Sequence, residues 1–260
     1  MNFWTPRPKP VSLLKHLPGL TAAVIAFGVN AQQPESVPLP FSADYSVKYG
    51  SVEVADVNLE FTTDNGLQLV TESKAKGLAS LIKSGLQREV SSLQIKNGQL
   101  VGDSYSSTNI STRRAFRGKT RVTEERELEV KFDWGKSQAS YLENGKKSIV
   151  ALKPGSLDRQ ALPIKVRFEL RKATATDPAA RPPVLDYYFV DNEVLRHYKM
   201  EYQGDEKIDT KLGKLNTAKY LYGTEGDKKT VLWLAENKDW LPVRFDKIKP
   251  GKPALSMTIN

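Results

Sequence analysis

The densest concentration of chemistry in this chain is a cationic cluster: Arg113, Arg114, Arg117, Lys119 and Arg121, with Phe116 among them. No acid falls between Ser104 and Thr123. Guanidinium groups meet phosphate or carboxylate as planar, two-pronged donors, so such a cluster could grip an anionic headgroup or an acidic sugar. The bland alternative is a solvated hairpin tip, its charge balanced by Glu124, Glu125, Glu127 and Glu129 on the next strand. Trp240, in Asn237-Lys238-Asp239-Trp240-Leu241-Pro242, falls in a turn and is expected to be the exposed tryptophan, a second candidate ligand contact. Trp134 and Trp233 alternate with their strands and are expected in the core, because each ring buries a large area.

Catalytic chemistry is poorly provided for. There is no cysteine, which removes disulfides, thiolate nucleophiles, Cys-ligated metals and a lipoprotein anchor. His16 lies in the N-terminal segment, leaving His197 as the single histidine beyond it. A metal site built on several histidines is therefore excluded, and His197 reads as a polar position on an alternating strand. Asp133 and Asp158 could serve as the paired carboxylates of a glycan-active enzyme if the fold brings them ~5–9 Å apart. Turn or capping duty is the simpler role for each. No metal or cofactor is expected.

The first 31 residues carry a targeting pattern. Arg7, Lys9 and Lys15 precede an apolar run from Leu20 to Val29, and Val29-Asn30-Ala31 supplies a small-residue cleavage site. The run is shorter than the ~20 residues that cross a bilayer. A cleaved signal peptide (1–31), a mature start near Gln32 and a periplasmic protein with no transmembrane anchor are expected; an uncleaved anchor is the alternative. The full chain has 39 Lys and Arg against 30 Asp and Glu, and removing Arg7, Lys9 and Lys15 leaves 36 against 30. For a cationic exported protein the anions at hand are envelope lipids and acidic glycans rather than nucleic acid.

The elements that must position these residues read as strands. Phe41, Ala43, Tyr45, Val47 and Tyr49 alternate with polar residues. Val52 and Val54 give way to Val57, Leu59 and Phe61, a change of phase that predicts a bulge near Ala55-Asp56. Asp64-Asn65-Gly66, Asn97-Gly98 and Asn144-Gly145 are hairpin signals, and Asp191-Asn192 a weaker one. About a dozen such segments are too many for one flat sheet. The expected fold is all-β: a curled antiparallel meander or barrel-like sheet with one or two short helices. Residues 32–40 read as a mobile tail and 41–260 as a single β domain; 177–183, with three prolines, marks the break if the domain has two halves. Gly77 to Lys83 reads as a short helical turn. From 156 to 172 a helix starting near Ser156, with Asp158 at its head, competes with a strand, and Pro163 weighs against the helix.

Several stretches together resemble a known family. These are Tyr45-Ser46-Val47-Lys48-Tyr49-Gly50, Gly77-Leu78-Ala79-Ser80-Leu81, Phe132-Asp133-Trp134 and Pro154-Gly155-Ser156-Leu157-Asp158. Lys211-Leu212-Gly213-Lys214-Leu215-Asn216-Thr217 and Trp233-Leu234-Ala235, followed by Leu241-Pro242-Val243-Arg244, complete the set. The chain is similar over about Phe41 to Ile259 to the exported bacterial family named domain of unknown function 3108. The resemblance implies an envelope location in Gram-negative bacteria and a mostly β fold, and supplies no catalytic residues. The chain departs from the family just after Asp158, where Ala161-Leu162-Pro163 stands in place of an expected serine. The reading is a non-enzymatic periplasmic protein that binds an envelope component: an anionic lipid, a glycan or a protein partner. A glycan-active hydrolase or lyase and a structural scaffold are the alternatives.

Overall fold

The computed structural model describes residues 36–77, 83–114, 121–224 and 228–260. The expected signal peptide, most of the expected turn from Gly77 to Lys83, and Arg117 and Lys119 lie outside them. Eight strands come first: β1 (Phe41–Tyr49), β2 (Val52–Thr62), β3 (Leu67–Ala75), β4 (Lys83–Lys96), β5 (Gln99–Arg114), β6 (Arg121–Asp133), β7 (Gln138–Glu143) and β8 (Lys146–Ala151). A two-residue β9 (Leu157–Asp158) leads through a 3-10 turn (Arg159–Ala161) into helix α1 (Leu162–Thr176). The chain continues as β10 (Val184–Asp191), β11 (Val194–Thr210), β12 (Gly213–Thr224), β13 (Lys228–Ala235), β14 (Leu241–Ile248) and β15 (Leu255–Ile259).

Two meanders make one sheet. Its order runs from β8 back to β1, across to β15, then down through β10 to β9. The seam between the meanders is the antiparallel pairing of β1 with β15, from Tyr45 opposite Ile259 to Tyr49 opposite Leu255. Every neighbouring pair is antiparallel except β9 with β10. Turn chemistry sets much of this register. Asn97 and Gly98, Asn144 and Gly145, and Asn192 and Glu193 all take positive φ, as a two-residue hairpin turn requires. At Asp64-Asn65-Gly66 only Gly66 does, so that connection is not the tight turn expected of it. The predicted bulge falls at Val54, where the ladder steps from Val47–Ala55 to Lys48–Glu53.

The sheet curls until its ends approach, without closing through backbone pairing. Val150 and Leu152 at the β8 end share a core cluster with Val190 of β10 and Leu195 of β11. Lys146 reaches Glu193 in the β10–β11 turn at 3.3 Å. The expected curled, barrel-like antiparallel sheet is what forms.

Helix α1 fills the interior. Ile164, Lys165, Val166, Arg167 and Phe168 are consecutive and all buried, so this stretch has no solvent face. A helix surrounded on all sides must sit inside a core. Side chains from β1–β5 and β10–β15 close around it. Pro163 does not obstruct the helix, because it stands in the first turn, where the missing N–H would have no partner anyway. The segment from 32 to 40, read from composition as mobile, ends in anchored residues. Val37 is buried in the same core, and the Leu39 N–H donates to Asp239 Oδ2 at 2.8 Å.

Candidate functional site

The long hairpin strands β4, β5 and β6 carry the sequence's basic residues at one end of the sheet. Their ladder sets Lys83 opposite Arg113 and, on the next rung of the neighbouring pair, Arg114 opposite Arg121. Arg113, Arg114 and Arg121 thus lie on adjacent strand ends, which sequence spacing alone could not show. Two rungs away Gly85 faces Ser111. Beside that rung is a shallow hollow of about 210 Å³, lined among others by Ser73, Ala75, Gln87, Asn109 and Ser111. Gly85 is required there, since a Cβ would lie 2.6 Å from the Ile110 carbonyl oxygen. The hollow offers hydroxyl and amide groups two rungs along from Lys83 and Arg113. The acids come next on β6: Glu124 stands opposite Ser111 and Glu125 opposite Ile110.

Trp240 corrects the sequence reading. It is buried, only 4% exposed, in the main core. Asp239 and Trp240 both take left-handed backbone, φ 54° and 59°, and the Arg181 guanidinium lies 4.7 Å over the indole ring. That turn folds the ring back against the sheet, so Trp240 is no exposed ligand contact. Trp134 departs in the other direction: half-buried, it stacks beside Phe132 and donates from Nε1 to the Gly102 carbonyl at 2.8 Å. Trp233 is buried as expected, beneath Lys219 and Arg244.

The two family-motif acids do unlike work in unlike surroundings. Asp133 is exposed and closes the β6–β7 turn, Oδ1 accepting from the Lys136 amide at 3.1 Å while Oδ2 pairs with Lys136 Nζ at 3.1 Å. The Lys136 hydrogen bonds hold its carboxyl below the usual range. Asp158 is buried at the head of the helix. Its Oδ1 accepts from Ser91 Oγ at 2.7 Å, the Gln160 amide at 2.9 Å and the Ala161 amide at 3.1 Å. Oδ2 has no hydrogen-bond partner among the described residues. Burial outweighs those donors and pushes the carboxyl up to about 6. Asp158 is therefore a cap, the capping duty weighed for it in the sequence, while Asp133 serves an exposed turn.

A further charge group, with Glu89 and Tyr105 buried beneath an exposed Arg159, was invisible in the sequence. Tyr105 donates to Glu89 at 2.5 Å, and Arg159 reaches Glu89 at 3.9 Å and Asp191 at 3.5 Å. On the helix, Arg167 binds Asp239 Oδ2 at 2.6 Å and the Leu39 carbonyl at 3.2 Å, and Arg171 pairs with the same carboxylate. Burial pulls Arg167 down to about 10, against the opposing pull of Asp239. Lys165 and Arg167 are charged residues of a kind usually solvated, and only the enclosing sheet makes them internal. His197 is an exposed strand residue, as expected, stacked 4.7 Å from Tyr188 and paired with Asp186. No cluster of three or more metal-ligating side chains occurs among the described residues, and no described helix is long and apolar enough to cross a membrane.

Fold and site together define a curled β-sheet protein plugged by a helix, with basic strand ends beside a polar hollow. The chain belongs to the family described as protein of unknown function (DUF3108), whose pattern matches residues 44–258. No curated protein matches the chain. Among solved structures it is similar to a crystal structure described as a beta-barrel-like protein of domain of unknown function DUF1849 from Brucella abortus. The two share 9% identity at a TM-score of 0.49, with 86% of this chain and 98% of that chain covered.

Proposed function

We propose that the chain is a periplasmic, non-enzymatic protein that binds an anionic component of the envelope, lipid or glycan, at the basic end of β4–β6. The observation that carries this reading is the ladder register. Lys83 opposite Arg113, and Arg114 opposite Arg121, are like-charge rungs on adjoining strands. Like charges directly opposed destabilise a sheet, and a bound anion converts that cost into affinity. The neighbouring hollow supplies neutral polar groups for the rest of a headgroup. The helix-filled interior favours binding at the surface over enclosure of a whole lipid. The targeting pattern of residues 1–31 supports the location.

The test uses mature protein and vesicles of phosphatidylglycerol with phosphatidylcholine, against phosphatidylcholine alone. Each cation near an anionic surface contributes ~1 kcal/mol. Arg113→Gln, Arg114→Gln and Arg121→Gln combined should then weaken binding on the order of 100-fold at low salt, and less as salt rises. Binding that survives the triple change in a folded variant would return these residues to a solvated hairpin.

A further inference from the structure

The sheet has an unpaired edge beside its shortest strand. β9 covers β10 only at Phe189 and Val190, opposite Leu157 and Asp158. Val184 to Tyr188 therefore pair with β11 on one side and, among the described residues, with no strand on the other. The β10–β11 hairpin turns through two residues, which makes Asp191 and Val194 a hydrogen-bonded pair. By alternation, the backbone groups of Phe189, Tyr187 and Leu185 also face β11, and those of Tyr188, Asp186 and Val184 face the open edge.

Space adjoins that edge. A slot of about 300 Å³ is lined by all five residues from Val184 to Tyr188, and across from them by Gln99, Pro154, Gly155, Lys165 and Glu169. Its floor is built from buried polar groups. Lys165 pairs with Glu169 at 2.8 Å and donates to the Leu100 carbonyl at 3.3 Å, and the buried Tyr187 hydroxyl has no hydrogen-bond partner among the described residues. The chain before β9 leaves the slot open. Pro154 and Gly155 lie in a tight turn held by Ser156, whose carbonyl bonds to the Gly102 amide of β5.

We propose that this slot binds the extended C-terminal segment of a partner protein as an added strand, parallel to β10 and in line with β9. Charge chooses both direction and occupant. A parallel strand opposite Val184 to Tyr188 ends beside Tyr188, and Lys153 Nζ lies 5.0 Å over the Tyr188 ring. Lys153 and Lys96 both line an adjoining hollow across Gln99, Pro154 and Gly155. A terminal carboxylate suits that end, whereas an antiparallel strand would bring its ammonium group there. Main-chain bonds to Asp186 and Tyr188 supply affinity that depends little on the partner's sequence. Five residues of extended chain span ~17 Å, so a segment of about that length fills the edge.

The experiment selects binders to the mature protein from a random heptapeptide library displayed with free C-termini. Selected sequences are then made as free acids and as C-terminal amides. The free acids should bind at least tenfold more tightly than the amides. Binding should slow hydrogen exchange at the Asp186 and Tyr188 amides, which should exchange faster than those of Leu185 and Tyr187 in the free protein. Lys153→Gln should weaken the acids and leave the amides unchanged; Asp186→Pro should abolish both while the protein stays folded, since that N–H serves no strand of the sheet. An absence of enriched sequences, equal affinity of acids and amides, or slow exchange at Asp186 and Tyr188 before any peptide is added would each overturn the proposal. None of these readouts involves anionic vesicles, so the result stands apart from the function proposed above.

Discussion

Asp158 shows how much a single buried carboxylate can reveal. It caps the turn into α1 with one oxygen and leaves the other unpartnered among the described residues. Its carboxyl ionises near pH 3.9 in the unfolded chain and at about 6 in the folded one, so the folded state holds its proton more tightly. For an acid shifted upward the sign is fixed. The contribution to stability is greatest below about pH 4, is lost as pH rises towards 6, and is flat above that. Asp158→Asn cannot titrate. Its stability relative to the unmodified protein should therefore rise by ~2 kcal/mol between pH 4 and pH 7, most of the two-unit shift at ~1.36 kcal/mol per unit. Urea unfolding of both proteins at four pH values measures this, and parallel curves would show that the carboxyl is not perturbed. The capping role was legible in the sequence from Asp158 standing ahead of an apolar stretch. Its burial was not, because Ser91 and Thr71, which close over this region, come from strands far away in the chain.

At the scale of elements, the same distinction separates what the sequence displays from what it conceals. Alternation and Asn-Gly turns are local signals, and they delivered most of the strands, the bulge beside Ala55 and the hairpins at Asn97 and Asn144. The helix was ambiguous because Ile164, Val166, Phe168 and Leu170 fit a strand equally well. Its first half is buried all round and has no wet face to betray its period. Trp240 was misread for a related reason: a turn residue is usually exposed, and only the left-handed backbone at Asp239 and Trp240 folds it inward. Asp239 also fixes the helix to the β13–β14 turn through Arg167 and Arg171. Asp239→Asn tolerates the same backbone but removes the charge, leaving Arg167, 1% exposed, with a buried and uncompensated cation. Breaking such a pair from one side costs ~3–5 kcal/mol. Thermal or urea unfolding should show a loss of that size, and adding Arg167→Met to the variant should restore part of it. A loss no larger than ~0.5 kcal/mol, typical of surface changes, would mean the cluster is solvated.

For the whole molecule, the decisive contact is the longest in sequence. β15 pairs with both β14 and β1, so it alone bridges the two meanders within the sheet. Neither meander encloses α1 by itself, since the core around the helix draws on strands of both. Local patterning could show that a closing strand existed at Leu255, Met257 and Ile259, but its partner lies more than 200 residues earlier and carries no short-range signal. Side-chain bonds reinforce the seam: Ser46 donates to Asn260 at 2.6 Å and Lys211 to the same oxygen at 3.0 Å. Removing residues 254–260 should therefore do more than fray an end. It should expose the edges of β1 and β14, open the core beside Tyr45 and Phe245, and replace a single cooperative transition with a broad one. Far-ultraviolet spectra should retain much β signal from hairpins that remain local, while a dye that reports exposed apolar surface should bind strongly. A sharp, unshifted unfolding transition in the shortened protein would show that the meanders hold together without their seam, and that the helix, rather than the sheet, is what unites them.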